Sequence, residues 1–257
     1  MVSIYSSVSF AAQGCVIKVG WMERPSYQYA DKRKRPQGFD IDYMRAVGKD
    51  LSCDIEFRRL PWIRQTKEMK AGSIDLLLGV FKTGKSSGTM ALSDSYRNDP
   101  VGFYVHKSDV KLIGRKSISQ LMEGNFRLGI IGHDTKSIEV ARLLKKPRYQ
   151  RKISKIKSAQ ALLRNLNRKL INGGMLHSAE VDYLHSINDP MVRDLKLIPH
   201  LSFTKPVHFI TGRDAPRGFD FLKTINGSIK RLESKGITNQ LLRKHVPSDF
   251  EILIQEK

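Results

Sequence analysis

The spacing of hydrophobic residues between Gly38 and Gly79 predicts alternating strands and helices. Beyond Gly38, apolar side chains recur at helical spacing: Ile41, Met44, Val47 and Leu51. A short strand is predicted at residues 55–57, a second amphipathic helix at 61–71, and a buried strand at 74–79. This βαβα order builds a parallel sheet covered by helices on both faces, and such sheets receive ligands at the carboxyl ends of their strands.

Several short motifs occupy the same part of the chain. They are GFDID at 38–42, Trp62 in the loop before the second helix, AGSID at 71–75, Thr83, and SDSY at 93–96. In order and spacing these motifs resemble the signature of the bacterial extracellular solute-binding proteins, family 3, which is also called the polar amino-acid-binding family. A weaker likeness continues to Leu242.

The resemblance implies an α/β, two-lobed periplasmic-binding-protein fold of type II with two hinge strands. We expect residues 16–98 plus 205–257 to form the first lobe and residues 99–204 the second. The chain would cross between the lobes near 98–101 and near 202–205. A protein of this family would capture a small polar solute, amino-acid-like or anionic, and deliver it to an ABC transporter permease in the inner membrane.

The resemblance leaves two other functions open. A few relatives with this fold are cyclohexadienyl dehydratases, so an enzyme built on the same cleft is one alternative. A ligand-sensing periplasmic domain is the other. Stoichiometric capture of a ligand without turnover would favour the binding protein.

The first-lobe positions that match the family's ligand contacts are mainly aromatic. Trp21 follows the first strand, Tyr27 occupies the position of a ligand-stacking ring, and Trp62 precedes the second helix. Aromatic faces attract cationic or planar ligands, although a Trp beside a strand end is often a core residue. At the carboxyl end of the strand that contains Gly79, the side chains expected to face the cleft are Phe81, Lys82 and Thr83.

The second lobe offers two further groups of candidates. A strand at 127–132 runs into glycine and then into a helix N-terminus, where backbone N–H groups can hold an anion. By position, His133, Asp134 and Thr135 inherit this role, with a plain helix N-cap as the alternative. Glu180 and Asp182 fall near the acidic residue that takes a ligand amino group in relatives.

One departure from the family bears on the ligand. The family holds a ligand carboxylate with the arginine of a T-x-x-R turn, and this chain has Ser86 at that position. Serine cannot make the bidentate, charge-assisted contact that arginine makes. Lys82, Lys85 or Arg97 could restore a positive charge, with a different geometry. We therefore expect that α-amino acids are not bound in the family's standard way.

The two cysteines, Cys15 and Cys53, each precede a predicted strand, and these strands would be parallel neighbours. Their side chains start from the same edge of the sheet, which favours a disulfide. Two free thiols remain possible, as does lipidation of Cys15 in the sequence AQGC. Residues 1–15 are expected to be a signal-peptide remnant or a flexible N-terminus, since the sequence SFAA at 9–12 resembles a signal cleavage region and places the mature protein in the periplasm.

Composition adds one extreme value. Lys and Arg number 45 against 25 acidic residues, which gives a formal net charge of +20. A surface with this charge could bind nucleic acid, an anionic membrane or an anionic ligand, or it could simply be a solvated basic surface. We favour the solvated surface and expect no nucleic acid partner, because the basic residues are spread along the chain and no DNA-binding motif occurs.

The sequence offers little support for catalysis. The seven histidines show no HExxH spacing, and there is no G-x-S-x-G elbow and no P-loop. The acidic pair Asp40 and Asp42 is best interpreted as first-turn acids of a helix. We therefore expect a monomeric binding protein, not an enzyme, with a small-molecule ligand and with no metal and no cofactor.

Overall fold

The computed structural model describes residues 14–82, 90–131, 137–213 and 218–245. In the first part of the chain the elements are β1 (Cys15–Trp21), β2 (Tyr29–Ala30), β3 (Pro36–Gln37), α1 (Phe39–Leu51), β4 (Cys53–Arg59), α2 (Trp62–Lys70), β5 (Leu76–Phe81) and β6 (Met90–His106). They are followed by α3 (Val110–Ile113), α4 (Ile118–Glu123), β7 (Leu128–Ile131), α5 (Ile138–Leu144), β8 (Ile153–Ile156), α6 (Ala159–Asn167) and β9 (Gly173–His177). The remaining elements are α7 (Ser178–Ser186), β10 (Leu195–Leu197), β11 (Phe203–Gly212), α8 (Gly218–Ser234) and α9 (Ile237–His245).

One mixed sheet runs through the whole molecule, in the strand order β4-β1-β5-β11-β6-β9-β7-β8 with β10 paired to β6. At one end β1 pairs in parallel with β4 and β5, and at the other β7 pairs in parallel with β8 and β9. The central strands β11 and β6 are antiparallel to each other. Because β11 is antiparallel to β5 and β6 is antiparallel to β9, the carboxyl ends of β5 and β9 point toward each other.

The two central strands join the halves of the molecule and are longer than the apolar pattern predicts. The sequence predicts strands at 101–105 and 207–211, whereas β6 has 17 residues and β11 has 10. Both predicted crossings between the lobes fall on these strands or beside their ends, so two hinge strands are confirmed. The added length in β6 includes the charged residues Arg97 and Asp99, which no apolar pattern marks as strand.

Separate hydrophobic cores lie on either side of these strands. In the first lobe, α1, α8 and α9 cover one face of the sheet around Val19, Met44 and Phe209. On its other face α2 packs through Met69 against Leu77. The second lobe has its own cores around the strands β7 and β9. Among the described residues, no helix is long and apolar enough to cross a membrane.

Cys15 and Cys53 form a disulfide, as predicted. They are register partners at the start of β1 and β4, with their Cα atoms 4.5 Å apart. The bond links residues that are 38 positions apart and therefore closes the first βαβ unit. Free thiols and a lipidated Cys15 are not what the structure shows. The sequence pattern assigns Cys15 to the N-terminal segment 1–15, whereas in the structure Cys15 is the first residue of β1.

We predict that this disulfide stabilises the first lobe. Closing a loop of 38 residues restricts the unfolded chain by about 4 kcal/mol on the chain-entropy estimate. Reduction should therefore lower the unfolding temperature by roughly 10 °C, measured by circular dichroism with and without reductant. The double variant Cys15→Ser, Cys53→Ser should match the reduced protein and show no response to reductant. An unchanged unfolding temperature on verified reduction would contradict the prediction.

Candidate functional site

Five side chains share one face of the sheet where the two lobes meet. In antiparallel pairs, directly opposed residues project to the same face, and so do alternate residues of one strand. Lys205 opposes Asp99, and Val207 opposes both Arg97 and Phe81. Across β6, Val101 opposes His177. We call the resulting group the hinge-face cluster: Phe81, Arg97, Asp99, His177 and Lys205.

Asp40, in the first turn of α1, is a buried partner of this cluster. Its carboxylate accepts hydrogen bonds from Gln28 Nε2 at 2.7 Å, from the Tyr96 hydroxyl at 2.8 Å and from Arg97 Nε at 2.9 Å. The side chains of Asp40 and Arg97 are both fully buried. The interpretation of Asp40 as a first-turn acid is therefore correct in position but incomplete, because its charge faces the interior.

Asp99 is the second carboxylate that contacts Arg97. Its oxygens accept hydrogen bonds from the Tyr27 hydroxyl and from His177 Nδ1, both at 2.8 Å, and Arg97 Nη1 lies 3.4 Å away. His177 ends β9 in the second lobe, and its ring stacks on Phe81 of the first lobe, with centroids 5.2 Å apart and planes 5° from parallel. The hinge-face cluster thus joins the two lobes directly.

The protonation states in this network follow from its charges. Burial opposes ionisation of Asp99, but the positive charge of Arg97 and the contact with His177 outweigh it, so the Asp99 pKa lies well below its usual value. Burial likewise disfavours the Arg97 cation, yet Asp40 and Asp99 raise its pKa well above the usual value. Burial and then Asp99 raise the pKa of Tyr27, whose hydroxyl remains a hydrogen-bond donor.

Arg97 also covers the ring of Tyr27. Its guanidinium carbon lies 3.6 Å from the ring centroid, which is a close cation–π contact. Tyr27 is buried, so the face that a ligand would need is already in contact with the protein's own cation. Stacking on a ligand would require Tyr27 to part from Arg97.

Two glycines make the network possible. Gly38, with φ of +110°, brings its backbone so close to Tyr27 that a Cβ would lie 2.5 Å from the Tyr27 carbonyl oxygen. Gly79, with φ of +70°, donates its N–H to the Tyr96 hydroxyl and accepts from Arg24 Nη1. A Cβ at Gly79 would lie 2.7 Å from Arg24 Nη1, 2.8 Å from Gln28 Nε2 and 3.0 Å from Asp40 Oδ2. These are positions where the backbone itself packs against the network.

We predict that Gly79→Ala is far more destabilising than Gly236→Ala. The two glycines have φ of +70° and +71°, but a Cβ at Gly236 would meet nothing within 4 Å. Gly236→Ala should therefore cost only the backbone strain, about 1 kcal/mol. Gly79→Ala should cost roughly 3 kcal/mol more, because it displaces partners of a buried charge. Equal losses in urea unfolding would show that the close approach at Gly79 is unimportant.

The residues predicted from sequence lie in several places. Tyr27, Phe81 and Arg97 come together at the hinge, and Lys82 is exposed just beyond Phe81. Trp21 is buried at the end of β1, and Trp62 is 39% exposed at the start of α2. The remaining described candidates, Glu180 and Asp182, are partly exposed on α7. Outside the described residues lie Thr83, Lys85, Ser86, His133, Asp134 and Thr135.

Sequence reasoning missed Asp99, His177 and Lys205. The only local signal is the polar run at 97–99, which lies directly before the apolar residues 101–105 of the same strand. His177 lies 78 positions from Asp99 in the chain, so their contact depends on the register of β6 and β9. In the described part of the chain, no group of three or more His, Cys, Asp and Glu residues could hold a metal ion.

We predict that Asp99 stabilises the fold in a pH-dependent way. A carboxyl with a lowered folded-state pKa contributes stability above its unfolded pKa and loses it as pH falls through the folded pKa. At pH 7 the variant Asp99→Asn should be about 3–5 kcal/mol less stable than the wild type, because the buried Arg97 cation loses one of its two carboxylate partners. That difference should shrink below about pH 5, where wild-type Asp99 begins to lose its contribution.

Urea unfolding at several pH values measures this difference. Asp220→Asn is the matched control, because the Asp220 side chain is 92% exposed and forms an ion pair with Lys223 at the surface. Its effect should stay within about 0.5 kcal/mol at every pH. A difference between the wild type and Asp99→Asn that is constant from pH 7 to pH 3 would refute the proposed charge interaction.

The arrangement of these parts defines a class of protein. Two α/β lobes are joined by two continuous strands, and the carboxyl ends of β5 and β9 point toward each other. This is a two-lobed binding-protein fold. Residues 17–248 match the family model of the bacterial extracellular solute-binding proteins, family 3. The chain belongs to this family.

Individual relatives are more distant. A "probable histidine-binding protein" of Neisseria gonorrhoeae is 22% identical over 221 residues, which are 85% of this chain and 78% of the relative. An ancestral arginine-binding protein solved with arginine has a TM-score of 0.70 at 18% identity, over 90% of this chain and 98% of that one. An ancestral amino-acid-binding protein described as a precursor of cyclohexadienyl dehydratase has a TM-score of 0.69 at 17% identity, over 90% and 95% of the two chains. These structural likenesses show the fold.

Proposed function

We propose that this protein captures a small polar solute, amino-acid-like or anionic, between its two lobes in the periplasm. It would act as a monomer, present the solute to an ABC transporter permease in the inner membrane, and bind without turnover. The observation that carries the proposal is the junction of the lobes. There, the carboxyl ends of β5 and β9 face each other, and this is where α/β sheets receive ligands.

The proposed mechanism is hinge closure. Residues 16–98 with 205–257 form one lobe in this proposal, and residues 99–204 form the other. A solute that contacts both lobes stabilises the closed state by its differential affinity for that state. The stacked pair of Phe81 and His177 already brings the lobes together beside the hinge, so opening and closing would occur mainly at the outer rim of the cleft.

The site residues expected from sequence complete this proposal. On the first lobe, Trp62 and Lys82 are accessible at the rim. Further proposed contacts, taken from the family pattern, are Trp21, Tyr27, Phe81, Thr83, Ser86, His133, Asp134, Thr135, Glu180 and Asp182. Two relatives are described as a probable histidine-binding and an ancestral arginine-binding protein, which supports a solute of amino-acid size.

The ligand carboxylate is proposed not to use the family's standard arginine contact. Ser86 replaces that arginine, and Arg97 is engaged by Asp40 and Asp99. Freeing Arg97 for a ligand would break a buried ion pair, which typically costs about 3–5 kcal/mol. Another cation must therefore serve an anionic group.

We predict that the protein purified under native conditions carries one small solute per chain. Native mass spectrometry should show this added mass, and it should be lost after unfolding, dialysis and refolding. Small-angle scattering of the refolded protein should then show a smaller radius of gyration when the solute is returned, because the lobes close.

Two results would count against this function. One is the absence of any bound solute, together with no response of the refolded protein to a panel of amino acids and organic acids. The other is conversion of prephenate at a catalytic rate, which would indicate an enzyme of the dehydratase type. The refolded protein without solute is the control for both measurements.

A further inference from the structure

Lys205 is a cation with an unusual position at the base of the cleft. It lies on β11 directly opposite Asp99, so the two side chains project to the same face. Its Nζ atom nevertheless lies 5.0 Å from the centroid of the Phe81 ring. Among the residues that the structure describes, no carboxylate lies within 4.0 Å of it as an ion-pair partner.

The reason for this geometry is that the oxygens of Asp99 are already engaged. They accept from Tyr27 and His177 and face Arg97. A further ammonium at Asp99 would compete with Arg97, whose guanidinium is fully buried and cannot turn to water. Lys205 therefore extends past its cross-strand neighbour toward the end of β5.

The ring of Phe81 gives this ammonium a defined place. Phe81 is buried and is held on one side by the parallel ring of His177. A cation over an aromatic face gains less than a charge-assisted hydrogen bond to an anion gives. An anionic group that entered the cleft would therefore improve the interactions of Lys205.

The surrounding charge favours the same class of ligand. Lys82 is exposed immediately after Phe81, and Arg24 donates a hydrogen bond at 2.5 Å to the Gly79 carbonyl on the same strand. Arg24 and Lys205 are thus two cations that contact β5, and Lys82 is a third that follows it in the chain. Asp40 and Asp99, the nearby acids of the hinge, are fully buried and already engaged.

We infer that Lys205, whose ammonium lies over the Phe81 ring, binds an anionic oxygen group of the solute, a carboxylate or a phosphate-like group. This inference rests on the proposed function and names the chemical class of the solute. Lys205 supplies a positive charge for the solute. Ser86 has no charge, and Arg97 is already paired with Asp40 and Asp99. Its compact ammonium, with three rotatable N–H donors, does not require the planar, bidentate geometry of an arginine–carboxylate pair.

Calorimetry and thermal shift on the refolded protein test this assignment. The anionic probes are L-glutamate, L-aspartate, succinate and inorganic phosphate, and the comparison set is the cationic amides of L-arginine, L-lysine and L-histidine, which have no carboxylate. At least one anionic probe should raise the unfolding temperature and bind more tightly than every cationic one. Lys205→Met, which keeps the apolar stem, should weaken that binding at least tenfold, and Lys205→Arg should keep most of it.

The matched control is Lys196→Met, on the exposed side of β10. It should leave binding unchanged, and all three variants should unfold like the wild type when no solute is present. Unaltered affinity of Lys205→Met for the anionic probe would overturn the inference, as would binding of the cationic amides alone or of none of the anions.

Native mass spectrometry separates this failure from failure of the proposed function. A retained solute without an acidic group would refute the role of Lys205 and leave solute binding intact. A protein that neither retains nor binds any solute would refute both. A retained solute with an acidic group, lost from Lys205→Met and kept by Lys196→Met, is the result we expect.

Discussion

The buried ion pairs of Arg97 with Asp40 and Asp99 are the interaction on which the rest of the structure depends. All three side chains are fully removed from solvent. Burial of a charge costs several kcal/mol, and the structure recovers this only when every partner is in place. This requirement explains the exact contacts of Tyr27, Gln28 and Tyr96, each of which donates a hydrogen bond to one of the two carboxylates.

The same network couples the lobes. Asp40 lies in the first turn of α1, Arg97 and Asp99 lie on the hinge strand β6, and His177 ends β9 in the second lobe. The base of the cleft is thus fixed by charge and by the stacked rings of Phe81 and His177. In the proposed function, a solute between the lobes would contact this preorganised region, and preorganisation reduces the entropy lost on binding.

Local patterns in the sequence were sufficient for the order of the elements from α1 to β5. Helical spacing after Gly38 predicts α1, and the apolar run at 74–79 predicts β5, because each pattern reflects contacts with one adjacent surface. The disulfide was also predictable, since Cys15 and Cys53 start neighbouring parallel strands. The family motifs added the prediction of a two-lobed fold with two hinge strands, which short-range periodicity alone does not give.

Only the tertiary structure decided what the charged residues do. Sequence placed Asp40 in the first turn of a helix, but its burial against Arg97 depends on β6 passing 57 residues later in the chain. Arg97 was a candidate for ligand binding from its position, and the fold engages it with two carboxylates instead. Lys205 carried no sequence signal at all. Its place over Phe81 follows from the register of antiparallel strands, which is set by long-range packing that a linear pattern cannot encode.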